Sequence, residues 1–159
     1  MIDDLFFALT LIAALGCGLM AGFFFAFSVV VMRALGRLPP ARGIAAMQAI
    51  NVAVINSWFM VGFLGTAGAC AVIAAASLFR WDQSNTVSLV AGSGLYLLGA
   101  VLVTIVFNVP RNNALAAVDA DSAEGATRWA SYLADWTAWN HVRTVTSLAA
   151  AASLTLALR

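Results

Sequence analysis

The sequence predicts an all-α protein, a four-helix transmembrane bundle in one integral membrane domain (residues 1–159). Of its 159 residues, 63% are hydrophobic and only 9% are charged, whereas soluble domains are about one quarter charged. Four uncharged runs each exceed the roughly 20 residues that cross hydrocarbon as a helix. Strand-like alternation is absent, and backbone groups in lipid must be paired within their own segment. We therefore predict helices for all four runs.

The four helices follow from where charged residues interrupt the apolar sequence. The uncharged runs cover residues 5–32, 43–79, 83–110 and 136–158. Only the last is interrupted, by His141 and Arg143. Allowing for turns that extend beyond the membrane, the predicted helices cover about residues 4–37, 40–79, 86–113 and 122–158.

The second and fourth helices are predicted to begin in the cytoplasm and continue into the bilayer. Pro40 suits the first turn of a helix, and apolar residues at helical spacing follow it. Asp121, with Glu124 three residues later, resembles a capping box. Both helices are thus expected to be extended on the cytoplasmic side.

The orientation follows from the arginines, because cytoplasmic loops are enriched in basic residues. The chain has no lysine, and its reliance on arginine and alanine is typical of a bacterial, GC-rich genome. The loops after the first and third helices carry Arg33, Arg37, Arg42, Arg111 and Arg128, and the opposite side carries Arg80 and Arg159. We predict a multi-pass protein of the bacterial inner membrane with both termini outside.

Several partners and cofactors are not expected. The net charge of +1 gives no reason to expect a nucleic-acid partner. Cys17 and Cys70 lie in apolar runs without CxxC spacing, so we interpret them as small buried hydrophobic residues and not as a functional pair. With one histidine and no Cys/His cluster, no metal is expected. No dinucleotide motif points to another cofactor.

The polar side chains of three helices fall at the same predicted end of the bundle. The opposite ends of these helices are almost pure Ala, Leu, Val and Gly. The one-sided residues are Asn51 and Asn56 of the second helix, Asn108 and Asn112 of the third, and Trp136, Trp139, Asn140, His141 and Arg143 of the fourth.

This one-sidedness predicts a polar pocket. The fourth helix carries a set of residues spaced three, one, three and four apart, which share one helical face: Trp136, Trp139, Asn140, Arg143 and Ser147. An unpaired amide or guanidinium in hydrocarbon is costly, so these groups should meet each other or a ligand. A purely structural explanation stays open. Tryptophan prefers membrane interfaces, arginine near a helix end can snorkel, and asparagine pairs can join helices.

Four segments resemble a known family. "GLMAGFFFAFS", "LPPARGIAAMQAIN", "FNVPRNNAL" and "WTAWNHVRT" are similar, in this order, to the anthrone oxygenase-like family of small four-helix membrane proteins, otherwise labelled a domain of unknown function. The resemblance covers nearly the whole chain. Its motif positions fall on Asn108, Asn112, Trp136, Asn140 and Arg143.

The resemblance implies a cofactor-independent oxygenase of an anthrone-like or other hydrophobic aromatic substrate. Removing a proton activated by the anthrone carbonyl gives a delocalised anion, which can react with O2. Such a site needs a base, hydrogen-bond donors for the oxyanion and a flat apolar slot. On this hypothesis the base is His141, the donors are Asn108, Asn112, Asn140 and Arg143, the rings that stack are Trp136 and Trp139, and Asn51 and Asn56 contact the substrate.

The alternative is a non-enzymatic membrane protein. It would bind a lipid, a quinone or a partner helix in the same polar pocket. In both interpretations the expected partners are the lipid bilayer and a hydrophobic small molecule, and a homo-oligomer is left open.

The predicted orientation can be tested by cysteine accessibility. We expect Leu38→Cys to react only with reagents that enter the cytoplasm, because position 38 lies in the arginine-rich first loop. Ser84→Cys, in the loop between the second and third predicted helices, should react from the periplasm and serves as the matched control. Periplasmic labelling of position 38 would reverse the assignment.

Overall fold

The computed structural model describes residues 2–79 and 85–159, and within them the chain forms five helices and no strand. The all-α class is therefore confirmed. Three of the helices are long and apolar enough to cross a membrane, which indicates a membrane protein. The helices are α1 (residues 2–35), α2 (Pro40–Ala53), α3 (Ser57–Leu78), α4 (Thr86–Ala116) and α5 (Ala123–Leu156).

The prediction of one continuous helix over residues 40–79 is wrong. α2 ends at Ala53, and α3 begins at Ser57. Asn56 explains the break, because its side-chain oxygen accepts a hydrogen bond from the Phe59 N–H at 3.0 Å and caps the start of α3. Its amide nitrogen donates to the carbonyl of Ala53 at 2.8 Å. One side chain therefore closes one helix and starts the next, which gives five helices in the described residues.

The other helices lie close to their predicted ranges. The structure has helices at residues 2–35, 86–116 and 123–156, against predicted ranges of about 4–37, 86–113 and 122–158. The fourth predicted membrane span falls in α5, whose polar first half separates it from the three apolar helices. Arg80, which contributes to the predicted charge asymmetry, lies outside the described residues.

The first turn of α5 also differs from its prediction. Ser122, and not Asp121, is the N-cap, since the Ser122 hydroxyl accepts from the Gly125 N–H at 2.9 Å. Glu124 is not used in a capping box but pairs with Arg128 at 3.1 Å, one turn along the helix surface. The helix still begins where the polar sequence predicts it.

The four longest helices pack side by side. α1 contacts α3 and α5, and α4 contacts the same two helices from the other side. The short helix α2 lies against α5 and the end of α4. We call the end of the bundle that carries α2 and the loops 36–39 and 117–122 the site end. Two apolar core clusters result, one along the long helices and one at the site end.

π-helical turns interrupt α1 and α4. They cover Phe27–Val31 in α1, and Leu97–Leu102 and Thr104–Asn108 in α4. Pro110 follows the last of these turns and has no N–H to donate. The Arg111 side chain donates to the carbonyl of Phe107 at 2.8 Å, just before this proline. π-turns of this kind are frequent at functional sites.

We expect Asn56→Ala to destabilise the protein by about 1 kcal/mol, because the N-cap of α3 and the bond to the end of α2 are both lost. Thermal unfolding in detergent measures the effect. Asn56→Ser retains a capping oxygen and is the matched control. Equal unfolding temperatures for the two variants would show that the cap does not hold the joint.

Candidate functional site

A cavity of about 580 Å³ lies at the site end, between the two core clusters. All five helices contribute to its lining. Among the described residues that line it, none is a carboxylate, histidine, cysteine or tyrosine. Its polar lining residues are Gln48, Asn51, Thr104, Asn108, Asn112, Asn113 and Arg143.

Aromatic rings form one wall of the cavity. Phe59 and Phe63 are stacked, with centroids 5.9 Å apart and planes at 12°. The ring of Phe23 lies 4.9 Å from that of Phe59, and Phe27 lies 5.9 Å from Trp136. Such a wall presents flat apolar faces, which suit a planar hydrophobic ligand.

Arg143 brings a positive charge to this apolar cavity. Its side chain is buried, with 6% of the residue exposed. The Nη2 atom donates to Asn140 Oδ1 at 2.6 Å, and Nη1 donates to Thr104 Oγ1 at 3.1 Å. The guanidinium carbon lies 4.4 Å from the Phe24 ring centroid and 5.0 Å from that of Trp136. These contacts hold the cation in place through neutral partners.

No carboxylate pairs with Arg143 within residues 2–79 and 85–159. Asp135, the acid closest to it in sequence, instead lies 4.0 Å from Arg111 at the surface. A buried cation without an opposite charge is costly and gives the cavity a positive potential. The cavity is thus prepared for a ligand that is anionic or becomes so.

Asn140 positions Arg143, and both of its N–H groups are used within the protein. Its amide nitrogen donates to the Phe24 carbonyl and to Ser28 Oγ, both at 2.7 Å, while its oxygen accepts from Arg143. The residue is fully buried and does not line the cavity. It joins α5 to α1 and fixes the direction of the guanidinium.

Asn112 fixes the orientation of two aromatic side chains. Its oxygen accepts from Tyr132 Oη at 2.9 Å and from Trp136 Nε1 at 2.8 Å. Burial raises the pKa of the Tyr132 hydroxyl, so this group stays protonated and remains a donor at neutral pH. The Trp136 ring is thereby held beside Arg143.

Three buried polar atoms of cavity-lining residues have no hydrogen-bond partner among the described residues: Asn108 Oδ1, Arg143 Nε and Asn51 Nδ2. Asn108 is held by its nitrogen, which donates to the Trp136 carbonyl at 3.2 Å. Asn51 lies near the Tyr132 hydroxyl and lowers its pKa, against the larger effect of burial. The Asn51 Nδ2 atom nevertheless has no partner with hydrogen-bond geometry among the described residues. Buried polar atoms are nearly always paired, so these three indicate a place for a ligand.

Three predicted site residues lie elsewhere. His141 is exposed on α5 and does not line the cavity, so the structure gives no support to its prediction as the base. Trp139 stacks on Phe107, with centroids 3.5 Å apart, outside the cavity. Asn56 is exposed and serves as the cap of α3. Position 141 lies away from the helical face of Trp136, Asn140 and Arg143, since each residue step rotates a helix by about 100°. Trp139 lies at the edge of that face, about 60° from Trp136, and in the structure it packs on Phe107 instead of lining the cavity.

Sequence reasoning missed several residues of the site. Ser28 and Thr104 complete the contacts of Asn140 and Arg143, but isolated hydroxyl residues are ordinary in membrane helices. Tyr132 gave no signal beyond its helical spacing from Trp136. The phenylalanines of α1 stand in the segment "GLMAGFFFAFS", where an apolar composition conceals their role as cavity wall.

The fold and the cavity define a helical membrane protein with a cationic, aromatic-walled candidate ligand site. A family model, anthrone oxygenase, matches residues 55–153 of the chain. The match covers more than half of the sequence and includes Asn108, Asn112, Trp136, Asn140 and Arg143. The chain therefore belongs to the anthrone oxygenase family. No curated protein and no solved structure matches it.

We expect Arg143→Lys to lower the free energy of unfolding by about 1.5–3 kcal/mol, the value of a hydrogen bond to a charged group. A lysine keeps the charge but cannot bond both Asn140 and Thr104 while lying flat over Phe24. Thermal unfolding in detergent measures the loss. Arg128→Lys, at an exposed ion pair with Glu124, is the control and should change stability by about 0.5 kcal/mol or less. Equal losses would contradict the special role of the Arg143 contacts.

Proposed function

We propose that the protein is a membrane-embedded oxygenase of an anthrone-like or other hydrophobic planar aromatic ketone, acting without a cofactor. One observation carries the proposal: Arg143 lies in an aromatic-walled cavity without a carboxylate partner among the described residues and with an unused N–H group. In the proposed net reaction, a CH2 group activated by the ketone reacts with O2 to give a second carbonyl and water. Membership in the anthrone oxygenase family supports this reaction class.

The role of Arg143 is to stabilise the substrate anion. Loss of a proton from the activated CH2 group moves negative charge onto the carbonyl oxygen. A guanidinium close to that oxygen favours the charged form and lowers the pKa of the substrate, more strongly in an apolar cavity than in water. Preorganised donors of this kind are often the largest single contribution to catalysis. Among the described residues that line the cavity, Arg143 Nε and Asn51 Nδ2 are the buried donors without a hydrogen-bond partner.

The proton need not pass to a basic side chain. Among the described residues, the lining of the cavity contains no group that titrates near neutral pH, and His141 lies outside it. A strongly acidified substrate can instead transfer its proton to water or hydroxide on the polar side of the cavity, where Gln48 and Asn113 line it. Asn108 Oδ1, which is also unpaired, supplies an acceptor for a hydroxyl group on the same substrate.

The reaction with O2 then takes place on the substrate itself. The carbanion transfers an electron to O2, and recombination forms a C–O bond and, after protonation, a hydroperoxide. This intermediate loses water as the second carbonyl forms, so one oxygen atom enters the product and the other leaves as water. The rings of Phe59, Phe63 and Trp136 hold the flat substrate and limit access of bulk water during these steps.

We place the protein in the bacterial inner membrane with both termini outside, from the arginine distribution of the sequence. In this orientation the site end faces the cytoplasm.

The test uses the full chain in lipid nanodiscs with anthrone and 18O2. Wild type should consume O2 above the rate of empty nanodiscs and place one 18O atom in anthraquinone. Arg143→Lys should lower kcat/KM about 10²-fold, as expected for loss of an oxyanion donor. Asn51→Ala should also lower it. Because Asn51 Nδ2 makes no hydrogen bond to the part of the chain that the structure describes, this variant tests catalysis with little effect on folding.

His141→Ala is the matched control, since its side chain is exposed and outside the cavity. This variant should retain wild-type turnover. A large loss of turnover would support His141 as the base and contradict the proposed proton path. Saturable anthrone binding without O2 consumption would instead identify a non-enzymatic binding protein.

A further inference from the structure

The cavity opens toward one side of the molecule. Its deep residues are nearly inaccessible, with Asn108 at 1% and Arg143 at 6% exposure. The residues at its rim are far more exposed, with Val52 at 75%, Ile55 at 73% and Val109 at 40% exposure. The ligand site therefore opens between the joint of α2 and α3 on one side and α4 on the other.

This opening lies where the apolar part of α3 begins. Ser57 starts a helix that is long and apolar enough to cross a membrane. Trp58, immediately after it, is 89% exposed, and tryptophan concentrates where hydrocarbon meets the headgroups. α2, on the other side of the joint, is shorter and carries Arg42, Gln48 and Asn51. The joint is thus the expected level of the membrane interface.

The rim is mostly apolar although it is exposed, and Asn113 is the one exposed polar residue among the described residues of the lining. Valine and isoleucine side chains on both sides of an opening are unfavourable in water and are well accommodated in lipid. Exposed apolar residues elsewhere on the helices need no further explanation in a membrane protein. These three, however, combine exposure with a place in the cavity lining.

We propose that the opening edged by Val52, Ile55 and Val109 is a lateral portal, through which the cavity is loaded directly from the bilayer. The ligand it admits is an amphiphilic aromatic molecule dissolved at the membrane interface. Such a molecule lies with its polar edge near the headgroups and its rings in hydrocarbon. At this level of the bilayer, the molecule can pass through the portal with its apolar rings against the aromatic wall of the cavity. Asn56 is the positioning residue of the portal, because it fixes both helix ends at the joint.

The portal can be tested independently of any activity. Nitroxide labels are placed at Val52→Cys, Ile55→Cys and Val109→Cys in vesicles, and collisions with lipid-soluble O2 are compared with collisions with a water-soluble nickel chelate. Oxygen should dominate at all three positions, as at the exposed control Val145→Cys on α5. Nickel should dominate at Leu38→Cys in the first loop. Nickel dominance at positions 52 and 55 would show a mouth open to water and overturn the portal.

The native cysteines do not interfere with this experiment. Cys17 and Cys70 are fully buried, with their sulfurs 4.0 Å apart. They should remain unlabelled in the folded protein, and a variant with both replaced by alanine gives the same comparison in a cysteine-free background.

A second experiment places a larger side chain in the portal. With anthrone supplied from vesicles, Ile55→Trp should raise KM severalfold, and by more than it lowers kcat, because entry is hindered while Arg143 stays in place. Val145→Trp, equally exposed to the exterior, should leave both values unchanged. Of the two experiments, only this second one depends on the proposed oxygenase function. If wild type does not oxidise anthrone, the oxygenase proposal fails while the collision data still decide the portal. Unchanged KM in Ile55→Trp and in Val52→Trp would overturn it.

Discussion

The burial of one guanidinium determines much of the arrangement at the site end. A cation in an apolar interior must be compensated by hydrogen bonds or by an opposite charge. The chain compensates Arg143 with an amide, a hydroxyl and two aromatic faces, all neutral. Each partner must itself be held. Asn140 is therefore bonded to α1, and Trp136 is fixed through Asn112 on α4. The cation thus connects three helices before any ligand is bound.

The π-helical turns give these connections their geometry. Ser28 lies in the turn Phe27–Val31, and both Thr104 and Asn108 lie in the turn Thr104–Asn108. A wider turn rotates the residues that follow it relative to an α-helix, which redirects polar side chains without ending the helix. The three residues contact Asn140, Arg143 and the backbone of α5, respectively. The irregular backbone is thus found where α1 and α4 meet the polar face of α5.

Periodicity predicts the parts of this site that lie on one regular helix. The spacing of Trp136, Asn140 and Arg143 places them on one face, and in the structure Arg143 contacts both of the others. Trp139, which the same spacing places at the edge of this face, packs on Phe107 outside the cavity. The same periodicity argues against His141, whose prediction rested on chemistry and not on its helical face. The break at Asn56 was missed because apolar residues continue on both sides of it, so that an asparagine N-cap looks like one polar residue in a long helix. The π-turns leave no pattern in the sequence that identifies them.

The amide at position 140 explains how Arg143 can be hydrogen-bonded and still keep its net positive charge. An aspartate there would accept the same hydrogen bond from Arg143 and form a neutral ion pair, and its charge would cancel the attraction of the cavity for an anion. Asparagine holds the guanidinium at 2.6 Å and leaves its charge intact. The Nε–H group is buried and has no hydrogen-bond partner among the described residues. Stability is thereby supplied by hydrogen bonds, and the positive charge is left for the molecule that enters the cavity.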